Sequence, residues 1–268
     1  MVDSHNSVLD LELTEKQGEA IKLVITRVCN ACILMEIGSH KILTDPFFLN
    51  PAYMGIDESV AIKVKELPRL SAIIGGHSVP DHWQIDSLSS YPYKQDVPVY
   101  VATQSMALKA ISTGFKNVEV LDWGSHRKIS ETLNLEVVKA HQLIGLKANN
   151  YVLRDEGISV FFGSEARDLE PLREYRVNNE AVDIVIAPVN AVHLFGFIKL
   201  VMSGSEAIEA TRILGAKIFF EIHDAHRVRP FLISVKSSGD DAEIAAQLDS
   251  EIEVVRMPTG QKWQLISA

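Results

Sequence analysis

Within the segment Gly76-His77-Ser78-Val79-Pro80-Asp81-His82 the chain carries two imidazoles and a carboxylate. Neutral imidazole and ionised carboxylate both ligate borderline divalent metals, so Zn²⁺, Mn²⁺ or Fe²⁺ chemistry is one reading of these residues. The other is that Asp81 caps a following helix and the histidines are polar loop residues. The segment follows the apolar run Ser71–Ile74 and precedes Trp83–Leu88, which the pattern predicts to be helical. A strand end feeding a helix start fixes the backbone and lets side chains converge on one point. Nine histidines against two cysteines favour imidazole chemistry and exclude a four-thiolate zinc site or a disulfide framework.

The elements that must position such residues are legible as short apolar runs. Ile21–Val28, Ile33–Ile37 and Lys41–Thr44 read as consecutive strands, with Gly38-Ser39 a turn and Asp45-Pro46 a stop. Residues 46–68 form a long connection of the kind that carries function or acts as a lid. Val97–Ala102, Val118–Leu121, Leu133–Lys139, Tyr151–Leu153, Ile158–Phe162, Asp183–Ala187 and Lys217–Ile222 continue the strand pattern. Ser105–Ser112, Leu169–Arg176, Gly204–Leu214 and Asp241–Leu248 read as helices. Strands crowd the first half and strands alternate with helices in the second, which predicts an α/β layered protein.

The chain has 268 residues, 47% of them hydrophobic, ample for a sizeable core. Its net charge of −9 repels phosphate backbones and argues against general nucleic-acid binding. Part of that charge is local. Asp3, Asp10, Glu12, Glu15 and Glu19 face only Lys16, so residues 1–19 read as a polar lead-in and 20–268 as one domain. No apolar run approaches the ~18 residues of a membrane span, and no basic stretch precedes an apolar one at the N-terminus. The expectation is a soluble cytoplasmic protein with a small-molecule substrate and no nucleic-acid or membrane partner.

The segment Gly76-His77-x-Val79-x-Asp81-His82 resembles the H-x-H-x-D-H signature of the metallo-β-lactamase-fold hydrolases. Asn30–Ile37 followed by Lys41–Pro46 is similar to that superfamily's opening hairpin. Lys139-Ala140-His141 is similar to the strand bearing the next histidine, and Phe161-Phe162-Gly163-Ser164 to the strand that ordinarily ends in Gly-Asp. Asp183–Pro188 is similar to the next central strand, and Ser203–Lys217 with Phe219–His223 to the helix and strand that deliver the last histidine. The likeness runs over about residues 20–225 in order and is nearest to the ascorbate-6-phosphate lactonase-like branch. It implies an α/β fold, a four-layer αββα sandwich of two mixed sheets flanked by helices, with a metal site at one rim.

The resemblance also implies roles. One metal would take His77, position 79 and His141, but Val79 has no lone pair to offer. The second would take Asp81, His82 and His223, and that set is complete. The bridging aspartate is replaced by Ser164, a weak ligand, with Glu165 beside it as the carboxylate that could swing in. Losing a bridging carboxylate removes charge that holds two cations together. One divalent ion rather than two is therefore expected, Zn²⁺ before Mn²⁺ or Fe²⁺, with Asp81 and His141 as catalytic groups. Three protein ligands and an open position let such an ion lower the pKa of water to about 7, which suits hydrolysis of an ester, lactone or phosphoester. The rival expectation is a degenerate member that binds a ligand or partner without hydrolysis, for which Val79 and Ser164 argue.

The remaining candidates are weaker. Asp45, at a strand end, could support a ligand histidine from behind. His193 falls near the expected rim and is a substrate-contact candidate. Arg227 and Arg229 could fork onto an anionic substrate group or form a solvated basic loop with an outward-facing His226. Leu194–Met202 reads as a buried helix, a lid, or a subunit contact that would make the chain a homo-oligomer. Cys29-x-x-Cys32 has redox spacing but lies between strands, where a buried structural pair is the simpler reading.

Overall fold

The computed structural model describes residues 21–143, 146–248 and 251–266, so the lead-in expected over 1–19 lies outside the described residues. β1 (Ile21–Cys29), β2 (Cys32–Ile37) and β3 (His40–Thr44) form an antiparallel meander. β4 (Ala72–Gly75), β5 (Pro98–Val101) and, after helix α1 (Gln104–Thr113), β6 (Asn117–Val120) add in parallel. β7 (His126–Lys128), β8 (Asn134–Leu143), β9 (Leu146–Asp155) and β10 (Ile158–Phe162) begin a second sheet, antiparallel. Helix α2 (Glu170–Asn178) leads to β11 (Ile184–Pro188), parallel to β10.

β12 (Val192–Leu194) and β13 (Ile198–Lys199) make a small hairpin. Helix α3 (Gly204–Leu214) then feeds β14 (Ile218–Ile222), parallel to β11. β15 (Ile233–Val235) pairs with β12, helix α4 (Gly239–Gln247) follows, and β16 (Glu253–Val255) extends the second sheet. β17 (Lys262–Ile266) returns to pair with β1. The result is two seven-stranded mixed sheets, in the orders β17-β1-β2-β3-β4-β5-β6 and β16-β14-β11-β10-β9-β8-β7.

Strand periodicity explains the layers. Adjacent residues of a strand point to opposite faces, so a strand buried on both faces is apolar throughout. Ile42 and Ile74 join a core between the sheets with Tyr151, Phe162 and Phe220, while their neighbours Leu43 and Ile73 join a second core with Met106 and Ala110 of α1. A third core packs α2, α3 and α4 on the outer face of the second sheet, through Leu172, Ile208 and Ala242 against Val185 and Phe219. Helix, sheet, sheet and helix therefore stack as the αββα sandwich expected from the sequence.

Two local expectations change, and the buried cysteine pair is as expected. Trp83–Leu88 is not an α-helix, because the amides of His82 and Trp83 turn back onto the Val79 carbonyl and only a 3₁₀ turn forms over Ile85–Leu88. The Trp83 ring is thereby driven into the core against Gly75, where a Cβ would come within 2.4 Å of it. Leu194–Met202 holds a hairpin rather than a helix, with Phe195 and Phe197 exposed at its tip. Cys29 and Cys32 face each other across the β1–β2 turn as free, buried thiols. Burial pushes both thiols up, so they stay protonated and packed. Among the described residues no helix is long and apolar enough to cross a membrane.

Candidate metal centre

The site forms where the carboxyl ends of the central strands of both sheets meet, the usual place for ligands in α/β proteins. β3 ends at Asp45, β4 at Gly76-His77, β10 at Gly163-Ser164-Glu165 and β14 at His223. His141 comes from β8, whose register with β9 shifts between Lys139 and Gln142, an irregularity of the kind that re-aims a side chain. Gly76 is required by packing, since a Cβ there would lie 2.3 Å from the Ser164 Cβ and 2.9 Å from the Asn149 carbonyl. Asp45 and His223 hold left-handed backbone, at φ 36° and 61°. Such conformations cost about 1–3 kcal/mol each in non-glycine residues and cluster at functional sites.

Two groups of three side chains converge here, Asp81, His82 and His223 in one, His77, His141 and Glu165 in the other. The ligand atoms of each group lie within 4.8 Å of one another. In the first group His82 Nε2 is 3.1 Å from His223 Nε2, and Asp81 Oδ2 is 3.7 and 3.6 Å from those nitrogens. Ligands held at 2.0–2.1 Å in a tetrahedron stand about 3.3 Å apart, so this triangle has the size of a zinc face.

The other ring nitrogens settle which atoms face inward. His82 Nδ1 is 2.8 Å from Asp45 Oδ2, to which it donates, and His223 Nδ1 lies 3.3 Å from Asn190 Oδ1. With both Nδ1 atoms so engaged, two Nε2 lone pairs point at each other unless a proton or a cation lies between them. Asp45, which is fully buried, also accepts from the Gly76 amide at 2.6 Å and from the Ser164 hydroxyl.

Glu165 joins the groups. Its Oε2 is 2.8 Å from His77 Nδ1 and 3.8 Å from His141 Nε2, and its Oε1 is 3.6 Å from His82 Nε2. The Nε2 of His77 and the Nδ1 of His141 are buried without a hydrogen bond, an arrangement that a cation would relieve. The donor set, four imidazoles and two carboxylates, therefore fits divalent ions of the zinc, manganese or iron type.

Electrostatics follow from this crowding. Burial acts to lower the His82 pKa, but the carboxylates of Asp81, Asp45 and Glu165 outweigh it and push it up to about 9. Burial, then the charge of His226, brings His223 down to about 4. Glu165 falls to about 2 because His77 and His82 overcome the opposing effect of its burial. Burial works against ionisation of Asp81 too, yet His82, His223 and His226 hold its carboxyl well below the usual range.

Two sequence expectations need correcting. His226 does not face solvent. Its backbone pairs with Ile56, its ring stacks on His223 at 4.0 Å and its Nε2 lies 3.3 Å from Asp81 Oδ2. His193 does not reach the site, because Val192 and Leu194 on either side of it line the adjoining cavity while its Nδ1 bonds back to the Ala191 carbonyl at 2.7 Å. Arg227 lines that cavity but is exposed and paired with Asp57. Asn190 escaped sequence reading altogether, its only signal being a place just past the end of β11. The cavity measures about 310 Å³ and opens onto Asp81, Glu165, His223 and His226, with Val79 in its wall.

Residues 24–223 match the family described as beta-lactamase superfamily domain. The chain belongs to the beta-lactamase superfamily. Solved structures of this superfamily's fold align over nearly the whole chain. Igni18, a metallo hydrolase from Ignicoccus hospitalis, is 14% identical with a TM-score of 0.71, over 91% of this chain and 98% of that one. An isothiocyanate hydrolase from Delia radicum gut bacteria is 15% identical with a TM-score of 0.71, over 90% and 98%. CmlA, a diiron β-hydroxylase from Streptomyces venezuelae, is 14% identical with a TM-score of 0.69, over 92% of this chain and 54% of CmlA. No curated protein sequence matches. At these identities the likeness establishes the fold, on which both hydrolysis and oxidation occur, so the reaction must be argued from the site.

Proposed function

We propose that the chain is a metal-dependent hydrolase of a small ester, lactone or phosphoester, and that its centre holds two divalent ions, Zn²⁺ before Mn²⁺ or Fe²⁺. The observation that carries this is the position of Glu165, with one oxygen toward His77 and His141 and the other toward His82. The missing ligands at Val79 and Ser164 suggested a single ion. A carboxylate displaced by one residue makes good both losses, since it completes the group of His77 and His141 and lies between the two groups.

When bound, such ions polarise the scissile oxygen and lower the pKa of a water to about 7. The protein's own part is positional. Asp45 and Asn190 hold His82 and His223 in the tautomers that present Nε2 inward. Asp81 faces the cavity, held by His226, where it can orient an attacking water. The Leu194–Leu200 hairpin and the Tyr53–Gly55 turn wall that cavity, which suits a small molecule. Resemblance to the lactonase-like branch makes lactones the first substrates to try.

The test is metal analysis of protein purified without chelator, paired with a panel of aryl esters, lactones and phosphodiesters. Two ions per chain are expected, with hydrolysis that His82→Ala lowers at least about a hundredfold. A chain that takes up neither Zn²⁺, Mn²⁺ nor Fe²⁺ would sink the proposal. A loaded chain inert on every substrate would leave the non-hydrolytic binder, which the apolar Val79 in the cavity wall favours.

A further inference from the structure

The small sheet β13-β12-β15 gathers exposed phenylalanines at one end. Phe195 and Phe197 flank Gly196 in the β12–β13 turn, their ring centroids 6.4 Å apart. Phe231 sits in the turn that enters β15. The Phe195 amide donates to the Leu232 carbonyl at 2.8 Å, so the two turns lie side by side. Phe231 is 99% exposed, Phe197 75% and Phe195 54%. Single exposed apolar side chains are ordinary, but three phenylalanines at one sheet end mark a contact surface. Phe195 and Phe231 also hold left-handed backbone, at φ 53° and 63°, a conformation that bulky side chains rarely adopt.

Charge says what this surface meets. Residues 192–203 and 225–238, which build the sheet and both turns, contain Lys199, Arg227, Arg229 and Lys236 and no carboxylate, in a chain of net charge −9. Glu206 and Asp57 come from outside these segments to pair with Lys199 and Arg227. The Lys236 ammonium is set at the tip itself, where it donates to the Gly196 carbonyl, between the two phenylalanines, at 2.8 Å. Exposed aromatic rings with cations beside them suit an anionic lipid surface, which takes the rings into its acyl layer and the cations among its headgroups. Shape agrees. A Cβ on Gly196 would meet nothing within 4 Å and Phe231 is bare, so the turns protrude. Protruding rings fit a fluid apolar layer.

We propose that these two turns seat the protein on an anionic lipid surface, with Phe195, Phe197 and Phe231 among the acyl chains and Lys236 among the headgroups. Leu194 and Leu232, each next to one of these phenylalanines, line the cavity beside the centre, so that cavity lies at the edge of the contact. The lack of an apolar span underlies the expectation of no membrane partner, but a surface contact needs no span. The proposal goes beyond the hydrolase reading and stands without it.

The intact chain is sedimented with vesicles of phosphatidylcholine alone and with vesicles containing about a third phosphatidylglycerol. Binding to the anionic vesicles is expected to be at least about tenfold tighter than to the neutral ones and to weaken as salt rises. Replacing all three phenylalanines by serine should lower it at least about tenfold. Phe231→Ser alone, at a side chain with almost no packing to lose, should lower it measurably and serves if the triple variant misfolds. Lys236→Gln should reduce the preference for anionic vesicles. In a Phe197→Trp variant, the added emission should be quenched by brominated acyl chains. Vesicles left unbound, binding that survives loss of the three rings, or an unquenched Phe197→Trp variant overturns the proposal. So does a parent that ignores vesicles but forms a dimer that the triple variant splits, since the surface then belongs to a second copy. No readout depends on metal or turnover, so failure here leaves the hydrolase reading untouched.

Discussion

Ser164 donates its hydroxyl proton to Asp45, the fully buried carboxylate that also takes the Nδ1 proton of His82. Ser164, which the sequence resemblance sets in the place of a bridging aspartate, therefore points behind the centre, and Glu165 turns into it instead. Ser164→Asp, the obvious repair by sequence, would set a second buried carboxylate against Asp45 with no proton to share. We expect a loss of about 3 kcal/mol or more, with reduced metal content, because an uncompensated buried charge costs that much. Ser164→Ala should cost only about 1 kcal/mol, the usual worth of one hydrogen bond. Denaturant melts of the two variants check the contrast, and a Ser164→Asp chain as stable as its parent would show that Asp45 is not held as described.

Glu165 carries the opposite expectation. Glu165→Ala leaves His77 and His141 as a two-imidazole remnant while Asp81, His82 and His223 remain complete. Metal content should fall from two ions per chain to one, and kcat/KM by about a hundredfold or more. Glu165→Asp, one methylene shorter, should keep the stoichiometry better than it keeps the rate. Two ions retained by the alanine variant would remove Glu165 from the ligand set.

The metal-free protein should show a definite pH profile. His82 is raised from 6.5 to about 9, so the stability it contributes is fully present below 6.5 and lost as pH rises through about 9. Glu165 is lowered from 4.5 to about 2, so its contribution is present above 4.5 and lost as pH falls through about 2. Together they place the stability maximum of this pair between pH 4.5 and 6.5. Zinc competes with the His82 proton, so affinity should rise with pH toward 9 and binding at neutral pH should release protons. Chelator-treated melts and calorimetry in buffers of different ionisation enthalpy measure both. Metal-free protein as stable at pH 9 as at pH 6 would contradict the buried His82 charge.

Strands buried on both faces, such as Ile184–Pro188 and, but for Ser159, Ile158–Phe162, stand out in the sequence as apolar runs, and with them the sandwich. The edge strands do not. His126–Lys128 and Lys262–Ile266 are short or half-exposed, and their pairing depends on partners more than two hundred residues away in the case of β17 with β1. His77, Asp81 and His82 were legible because three ligand residues crowd one strand end. His226 was not, since its neighbours Arg227 and Arg229 give it the look of a solvated loop. Its burial comes from backbone pairing with Ile56, which no local pattern encodes. Glu165 was visible only as a neighbour of the altered Ser164, because the turn after Gly163 decides which of the two side chains enters the centre.

Val79 offers the more productive repair. Its carbonyl accepts from the His82 and Trp83 amides at 3.0 and 2.9 Å, so the turn fixes its backbone whatever side chain it bears. Its side chain lines the cavity, where an imidazole can be accommodated without entering a packed core. Val79→His should therefore fold normally and add a nitrogen donor to the centre. We expect the weaker-bound ion to be held about tenfold more tightly, some 1.4 kcal/mol, as read by competition with a chelator. The same change replaces apolar wall with a polar ring, so KM for apolar esters should rise while metal affinity improves. Weaker metal binding in Val79→His would mean that position 79 lies out of reach of both ligand groups.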